Sequence, residues 1–387
     1  MTLWIIEPRD PLIVRDGRPF GPNPGARAAT LAFPFPSTVV GGLRHKAGLD
    51  AQGVFDQSQI SRVLELGIRG PLLVRLNDDD AIVEWLPPAP ADALVLEQEP
   101  YDESNIRIQQ LIPLPGTVLS NIPDGLQPIG QRNPLPNKVS SRAPHFWRME
   151  RFLGWLAAPG DTPAEPLTPL GVGRLATDAR THVSVQPESL TAREGALFQT
   201  QGLVFTEADR TRLALACFFE DNGASYTTPN FNGGLAALGG ERRLMRWMHG
   251  ATLPGAEVAA AMREQIIAQR RARVVLLTPA VFADGYRPPL EWVRGGATAK
   301  LKAALVQRSQ VVSGWDMRAD NGPNRSPGKP KPTRRLAAAG SVYFVSWETE
   351  QEATAWLDAT WMQNVSDDAQ DCRDGFGLAV YGVWAGK

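Results

Sequence analysis

Apolar residues along this chain fall into short runs more often than into long stripes. Residues 3–7 and 11–14 read as two short strands, bounded by Pro8-Arg9-Asp10 and by an Asp16-Gly17 turn. A loop rich in Gly, Pro and Ala follows, up to Pro36. The spacing then changes. Val39, Leu43 and Ala47 recur at i, i+4 and i+8, the buried stripe of a helix over 36–48 with Ser37 as N-cap and Gly48 as stop. The Gly41-Gly42 pair inside it costs about 1 kcal/mol per Gly relative to Ala. A sheet or a ligand must therefore come close to the backbone there. Residues 72–76 and 81–86 flank Asn77-Asp78-Asp79-Asp80 as a hairpin, whose three Asp read as a solvated turn in preference to a metal loop.

From 87 to about 144 the chain is Pro-rich with little periodicity, the pattern of a functional or irregular insertion. Lys138 and Arg142 lie in it, with Phe146 and Trp147 just after. Residues 160–169 read as a linker, which divides the chain into domains 1–165 and 170–387. The second half restarts with the alternating run Arg180-Thr181-His182-Val183-Ser184-Val185, then strands at 203–205 and 213–219. Val258, Met262 and Ile266 form a helix stripe ending near Arg270-Arg271-Ala272-Arg273. Strands at 274–277 and 341–345 follow. Thr349-Glu350-Gln351-Glu352 is a capping box opening a helix with Ala353, Trp356, Leu357 and Trp361 on one face. A strand at 378–384 closes the chain. The class is α+β. Strands and single helices alternate in each half as in two ferredoxin-like (RRM-like) βαββαβ domains.

Composition adds limits. With 387 residues, 43% hydrophobic and 21% charged, the chain can build two ordinary cores without a metal or disulfide staple. Its two cysteines, Cys217 within an apolar run and Cys372, make no Cys-x-x-Cys pair, so no structural metal and a reducing, cytoplasmic setting are expected. The first ten residues carry charge and proline too early for a signal peptide, and no apolar run reaches the roughly 20 residues of a membrane span. The net charge of −1 is against a nucleic-acid binder, which is usually basic. Its distribution is not. Between Arg263 and Arg335 there are 15 basic and 5 acidic residues, whereas the stretch from Glu348 to Asp374 is acidic.

Candidate chemistry is sparse. Only His45, His145, His182 and His249 are available, and no nucleophile elbow, Walker loop or His-Glu-x-x-His is present. His45 beside Lys46 could act as general acid or base on an RNA 2′-OH. A cation favouring the helix C-terminus is the preferred reading. Arg15-Asp16-Gly17-Arg18-Pro19-Phe20 is a tight turn whose two Arg either clamp a phosphate or pair with Asp10 or Asp16. Gly239-Gly240-Glu241-Arg242-Arg243, the run from Arg334-Arg335 to Gly340-Ser341, and Gly375-Phe376-Gly377 each put flexible backbone beside a strand, with Arg adjacent. Singly these are weak signals, since strand-flanking turns often need Gly. Together they suggest an anion-binding surface. Arg270, Arg271 and Arg273 are better read as helix C-terminal cations. Residues 322–332 are basic and of low complexity.

Taken in order, several of these segments resemble a known family, the third subunit of the type III-B CRISPR (Cmr) effector complex, in the RAMP superfamily. The resemblance is carried by Arg15-Asp16-Gly17-Arg18-Pro19-Phe20, Pro36-Ser37-Thr38-Val39-Val40-Gly41-Gly42-Leu43-Arg44, Gly70-Pro71-Leu72-Leu73 and Pro88-Ala89-Pro90-Ala91-Asp92. It continues through Arg180-Thr181-His182, Glu194-Gly195-Ala196-Leu197-Phe198, Gly239-Gly240-Glu241-Arg242-Arg243, Asp284-Gly285-Tyr286-Arg287-Pro288 and Ala339-Gly340-Ser341-Val342-Tyr343-Phe344. Gly42 departs from it, where relatives more often have Ala.

The resemblance implies a non-catalytic, cytoplasmic subunit for antiviral defence that holds the repeat-derived 5′ tag of crRNA. It also implies contact with the large polymerase-like (cyclase) subunit and the first backbone subunit. A thumb, placed here within 97–145, would reach toward the guide–target RNA duplex. No metal, cofactor or small-molecule substrate is expected. The residues expected at RNA are Arg15, Gly17, Arg18, Ser37, Thr38, Arg44, Lys138, Arg142, Arg180, His182, Gly239, Gly240, Arg242, Arg334, Arg335, Gly340, Ser341, Gly375 and Gly377. Phe20, Trp147, Tyr343 or Phe376 could stack on bases. The rival readings are a metal-independent repeat-RNA endonuclease using His45, and a protein scaffold that touches no RNA.

Overall fold

The computed structural model describes residues 2–15, 26–98, 105–116, 121–220, 232–250, 260–316 and 328–385. They form two compact units that interleave along the chain. One is built from 1–83, 175–251 and 311–334, the other from 84–174, 252–310 and 335–387. The expected division at a linker near 160–169 does not hold. That stretch lies along a strand of the second unit: Thr162 N donates to Ile108 O at 2.8 Å and Glu165 N to Ile106 O at 2.8 Å.

The first unit is organised by a six-stranded sheet. Its strands are β1 (Thr2–Pro8), β2 (Gly67–Leu76), β3 (Ile82–Leu86), β4 (Arg212–Glu220), β5 (Gly234–Ala237) and β6 (Leu244–His249), in the order β5-β6-β1-β4-β2-β3. β1 is antiparallel to both β4 and β6. Leu3, Trp4, Ile5 and Ile6 are all buried, so β1 is a central strand with both faces covered. The expected second strand at 11–14 is only a pair of bridges, Leu12 to Leu203 and Arg15 to Thr30.

Helix α1 (Pro36–Ala47) buries Val39, Leu43 and Ala47, as the stripe requires. Its N-cap is Phe35 and not Ser37, because Pro36 takes the first helical position, where its missing N–H costs nothing. The glycine pair is explained on one side only. A Cβ on Gly42 would meet Leu238 at 2.8 Å and Trp247 at 3.0 Å, whereas Gly41 faces open space. The close neighbour is therefore the sheet.

The first unit also carries a long hairpin, Ala176–Val185 with Ala192–Val204. Most of it is exposed on both faces, and Leu190 near its tip is 80% exposed.

The second unit has its own six-stranded sheet: β7 (Arg271–Leu276), β8 (Glu291–Arg294), β9 (Ala297–Leu305), β10 (Val342–Ser346), β11 (Gln363–Asn364) and β12 (Leu378–Val383). Their order is β8-β9-β10-β7-β12-β11. Helices α2 (Met149–Ala157), α3 (Ala260–Gln269) and α4 (Glu350–Asp358) belong to the same unit. The capping box forms as its residues predict: Thr349 N donates to Glu352 Oε2 at 3.1 Å and Glu352 N to Thr349 Oγ1 at 3.2 Å. Ala353, Trp356 and Leu357 are buried, and Trp361 falls just past the helix end.

The stretch 97–145, expected as a thumb, folds differently. Within it, Ile106–Pro113 pairs with both Ile129–Gln131 and the preceding strand Ala93–Glu97 in a three-stranded sheet, with Val95, Leu96, Ile106 and Ile108 buried. That sheet is anchored by a fully buried ion pair. Arg273 on β7 meets Asp92, and donates to Val383 O and Trp155 O at 2.7 Å each, while Trp155 Nε1 donates to Asp92 at 3.0 Å.

No helix among the described residues is long and apolar enough to cross a membrane. Nor, among them, do three His, Cys, Asp or Glu gather as a metal site would need.

Candidate nucleic-acid interface

The sequence-predicted residues meet most closely in the first unit, where the C-terminal end of α1 lies near the loop between β5 and β6. Gly239 adopts φ 72°, and a Cβ there would sit 2.5 Å from Ile13 O. Gly240 N donates to that same carbonyl at 2.7 Å. Glycine at 239 thus lets the loop press against residues 11–14, just before exposed Arg15. Glu241 and Arg242 follow in the left-handed region, at φ 55° and 51°. Each such residue costs roughly 1–2 kcal/mol. Arg243 pairs with Glu241 at 2.8 Å. Arg242 is exposed and has no carboxylate partner among the described residues.

Across from this loop, His45 stacks on Phe55 with ring centroids 5.5 Å apart and planes 6° from parallel. Burial first, then the positive charges of Arg242 and Lys46, hold the His45 imidazole below its usual pKa. Lys46 is only 5% exposed, its ammonium lies 5.9 Å from the Trp247 ring, and burial lowers its pKa. Two cations that depress a neighbouring imidazole form a site that favours an anion.

The hairpin presents a second group. His182 stacks on Phe198 across the strands, centroids 5.1 Å apart, and its Nε2 lies 3.0 Å from Thr200 Oγ1. Arg180, two residues earlier, pairs with Asp178 at 2.7 Å while half exposed.

Other expected residues serve the fold. Arg44 is buried and donates to Val63 O, Leu64 O and Leu66 O at 3.0, 3.3 and 2.7 Å, closing the carbonyl end of the short helix Ile60–Leu64. Ser341 is fully buried and donates to Ala338 O at 2.7 Å. Gly340 and Gly377 are buried close-packing positions, where a Cβ would lie 2.4 Å from Ala89 O and 2.8 Å from Ser366 N. Gly375 is buried, and its carbonyl accepts from Thr278 Oγ1 at 2.8 Å. These corrections share a cause: a backbone amide facing packed chain cannot face RNA. Trp147, Tyr343 and Phe376 are core residues and offer no stacking face.

Ser37 and Thr38 are half-buried in the first turn of α1. Lys138 is exposed, 3.8 Å from Glu97; Arg142 and Arg335 are exposed, and Arg334 is half-buried. Gly17, Arg18 and Phe20 lie outside the described residues. Sequence reasoning missed Phe55 and Trp247 as the aromatic supports of His45 and Lys46. Neither has a local signal, because both pairings are made in space.

A family model for CRISPR-associated protein (Cas_Cmr3) matches residues 4–384. No curated protein matches the chain. Among solved structures it is similar to a chain of a type III-B Cmr-beta complex bound to cognate target RNA and AMPPnP, at 16% identity and TM-score 0.46, covering 89% of this chain and 86% of that one. A chain of the same complex bound to cognate target RNA gives 17% and 0.45, with the same coverage. A chain of a Csm3-Csm4 subcomplex of a type III-A interference complex gives 9% and 0.36, covering 90% and 94%.

Proposed function

The chain belongs to the Cas_Cmr3 family of CRISPR-associated proteins, and from that premise we propose that it is a non-catalytic RNA-binding subunit of a type III-B effector complex. Its role is to cap and position the repeat-derived 5′ tag of crRNA in cytoplasmic defence against invading RNA. The observation that carries this reading is the cluster of Arg242, Lys46 and His45 beside the Gly239-Gly240 loop. It combines cations, a depressed imidazole and an aromatic neighbour at one place. Single-stranded RNA is held by such mixtures of charge and flat rings.

The strand orders support the two ferredoxin-like domains of this reading. In the first unit the four central strands β1, β2, β4 and β6 are ordered fourth-first-third-second, and α1 connects the first two. In the second, β7, β9, β10 and β12 have the same order, and α4 connects the last two. The thumb belongs at the exposed hairpin 176–204 and not at 97–145. Its His182–Phe198 pair would lie against the guide–target duplex. The partners are the large polymerase-like subunit and the first backbone subunit, with the acidic segment from Glu348 to Asp374 suited to a basic surface of one of them.

The test is equilibrium binding of tag-sequence RNA across a salt series. Arg242→Ala should weaken binding and lower the slope of log K against log salt by about 0.7 if one phosphate is no longer neutralised. An unchanged affinity and slope would remove Arg242 from the RNA face.

The depressed pKa of His45 also favours a second reading, since a neutral imidazole beside two cations could serve as a general base. Incubating repeat RNA with the chain separates the two. The first reading expects intact RNA with both wild type and His45→Ala; cleavage by wild type alone would make the chain a ribonuclease.

A further inference from the structure

In the second unit the short strands Phe146–Trp147 and Gly171–Val172 pair, and their ends bring together His145 and Arg174. Arg174 Nε donates to His145 Nε2 at 2.9 Å, and both residues are exposed. Backbone fixes the place: His145 N donates to Val172 O at 3.0 Å, and Ala89 N to His145 O at 2.9 Å. Loss of water around the ring, then the positive charge of Arg174, hold the His145 imidazole below its usual pKa. Among the described residues no carboxylate lies within ion-pair reach of either side chain, and Arg174 has no partner besides His145. The loop 87–91, which meets His145 through Ala89, carries no titratable side chain. Of the cations flanking His145 in sequence, Arg148 faces Glu84 at 3.6 Å and Arg142 is exposed.

This pairing is unlike the other arginine contacts of the unit. A carboxylate would hold the guanidinium and cancel its charge. A neutral imidazole holds it through Nε and leaves the charge whole, with both Nη groups available as a fork. A Cβ on Gly173 would meet nothing within 4 Å, so the ground beside Arg174 is open. We infer that the Arg174–His145 pair binds a phosphodiester of single-stranded RNA, with Arg174 as the fork and His145 as the residue that positions it. The inference rests on the function proposed above. A polyanion is favoured over a lone carboxylate because positive charge continues along the chain: residues 125–149 include Arg132, Lys138, Arg142 and Arg148 and no acid.

The experiment titrates the full chain with a fluorescent ten-nucleotide single-stranded RNA across a salt series. It also follows the His145 ring by proton NMR with and without that RNA. Arg174→Gln should lose about tenfold in affinity and lower the slope of log K against log salt by about 0.7. Arg174→Lys, which keeps the charge without the fork, should recover the slope and only part of the affinity. In wild type, RNA should raise the His145 pKa toward about 6.5, because a phosphate at Arg174 offsets the charge that depresses it. A reduced slope with an unmoved His145 titration would put the contact away from the pair and overturn the inference. If Arg242→Ala weakens RNA binding while Arg174→Gln matches wild type, the inference fails and the RNA reading stands. If a polyglutamate peptide raises the His145 pKa and RNA does not, the pair is a contact for an acidic protein and the inference fails. If wild type does not bind RNA, both fail.

Discussion

At the scale of residues, two environments decide the most. Burial, then the charges of Arg242 and Lys46, hold the His45 imidazole below its ordinary pKa. Removing one of those charges in Arg242→Gln should raise the imidazole pKa toward its ordinary value, which a proton NMR titration of the His45 ring would read directly. An unmoved titration would separate Arg242 from His45 and dissolve the proposed cluster. The sign for stability follows. Because folding disfavours the protonated ring, the protein loses stability as pH falls through about 6.5, where the unfolded state takes up its proton first. The second environment is Arg273 with Asp92, both fully buried. Truncating either partner leaves a charge without its counter-ion in the interior, a loss of about 3–5 kcal/mol. Chemical denaturation of Asp92→Ala should show it. The sequence holds part of this. Asp92 stands in a segment that supports the family resemblance, but nothing local pairs it with Arg273, far along the chain. The glycines mislead for a related reason. Gly340, Gly375 and Gly377 carry the signature of backbone left bare for a phosphate, and close packing of chain against chain writes the same signature.

At the scale of elements, periodic and capped segments were legible and long-range pairings were not. α1 and α4 follow from their stripes, and Thr349 with Glu352 fixes where α4 begins. Thr349→Ala should lower stability by about 1 kcal/mol, a shift readable in the urea midpoint. The hairpin around Asn77 was also legible, but the role of its turn was not. Asp80 is no solvated turn residue: it accepts from Arg212 at 2.6 Å and from Arg246, and both also pair with Glu7. The hydrogen bonds from Arg246 and then Arg212 hold the Asp80 carboxyl below its usual range. The stabilisation it gives is complete above the unfolded value near about 3.9 and is lost as pH falls through the lower folded value. Asp80→Asn should therefore lower the urea midpoint at pH 7 and leave it nearly unchanged at the acid end of the profile. The Pro-rich stretch after β3 misread as irregular because its strands are short and its turns frequent. Its buried face becomes visible only once a sheet exists to cover it.

At the scale of the whole molecule, the chain passes between the two units five times, at 83/84, 174/175, 251/252, 310/311 and 334/335. No single cut separates them. A fragment 1–165 would hold β1 and β2 without β4, the strand that lies between them, and a fragment 170–387 would keep Arg273 without Asp92. Each fragment alone should lack a cooperative thermal transition by circular dichroism; a sharp transition in either would argue for the linear division after all. The same connectivity bears on how the protein is made. Both neighbours of β1 leave the ribosome late, since β4 begins at Arg212 and β6 at Leu244. At roughly 5–20 residues per second, translation takes on the order of 10–40 s to supply the first of them. Through that interval Leu3, Trp4, Ile5 and Ile6 trail from the nascent chain as an apolar ribbon with nothing to pair with, an open invitation to aggregation. A chaperone that shields β1 until β4 emerges should raise the soluble yield more than one that acts on the released protein.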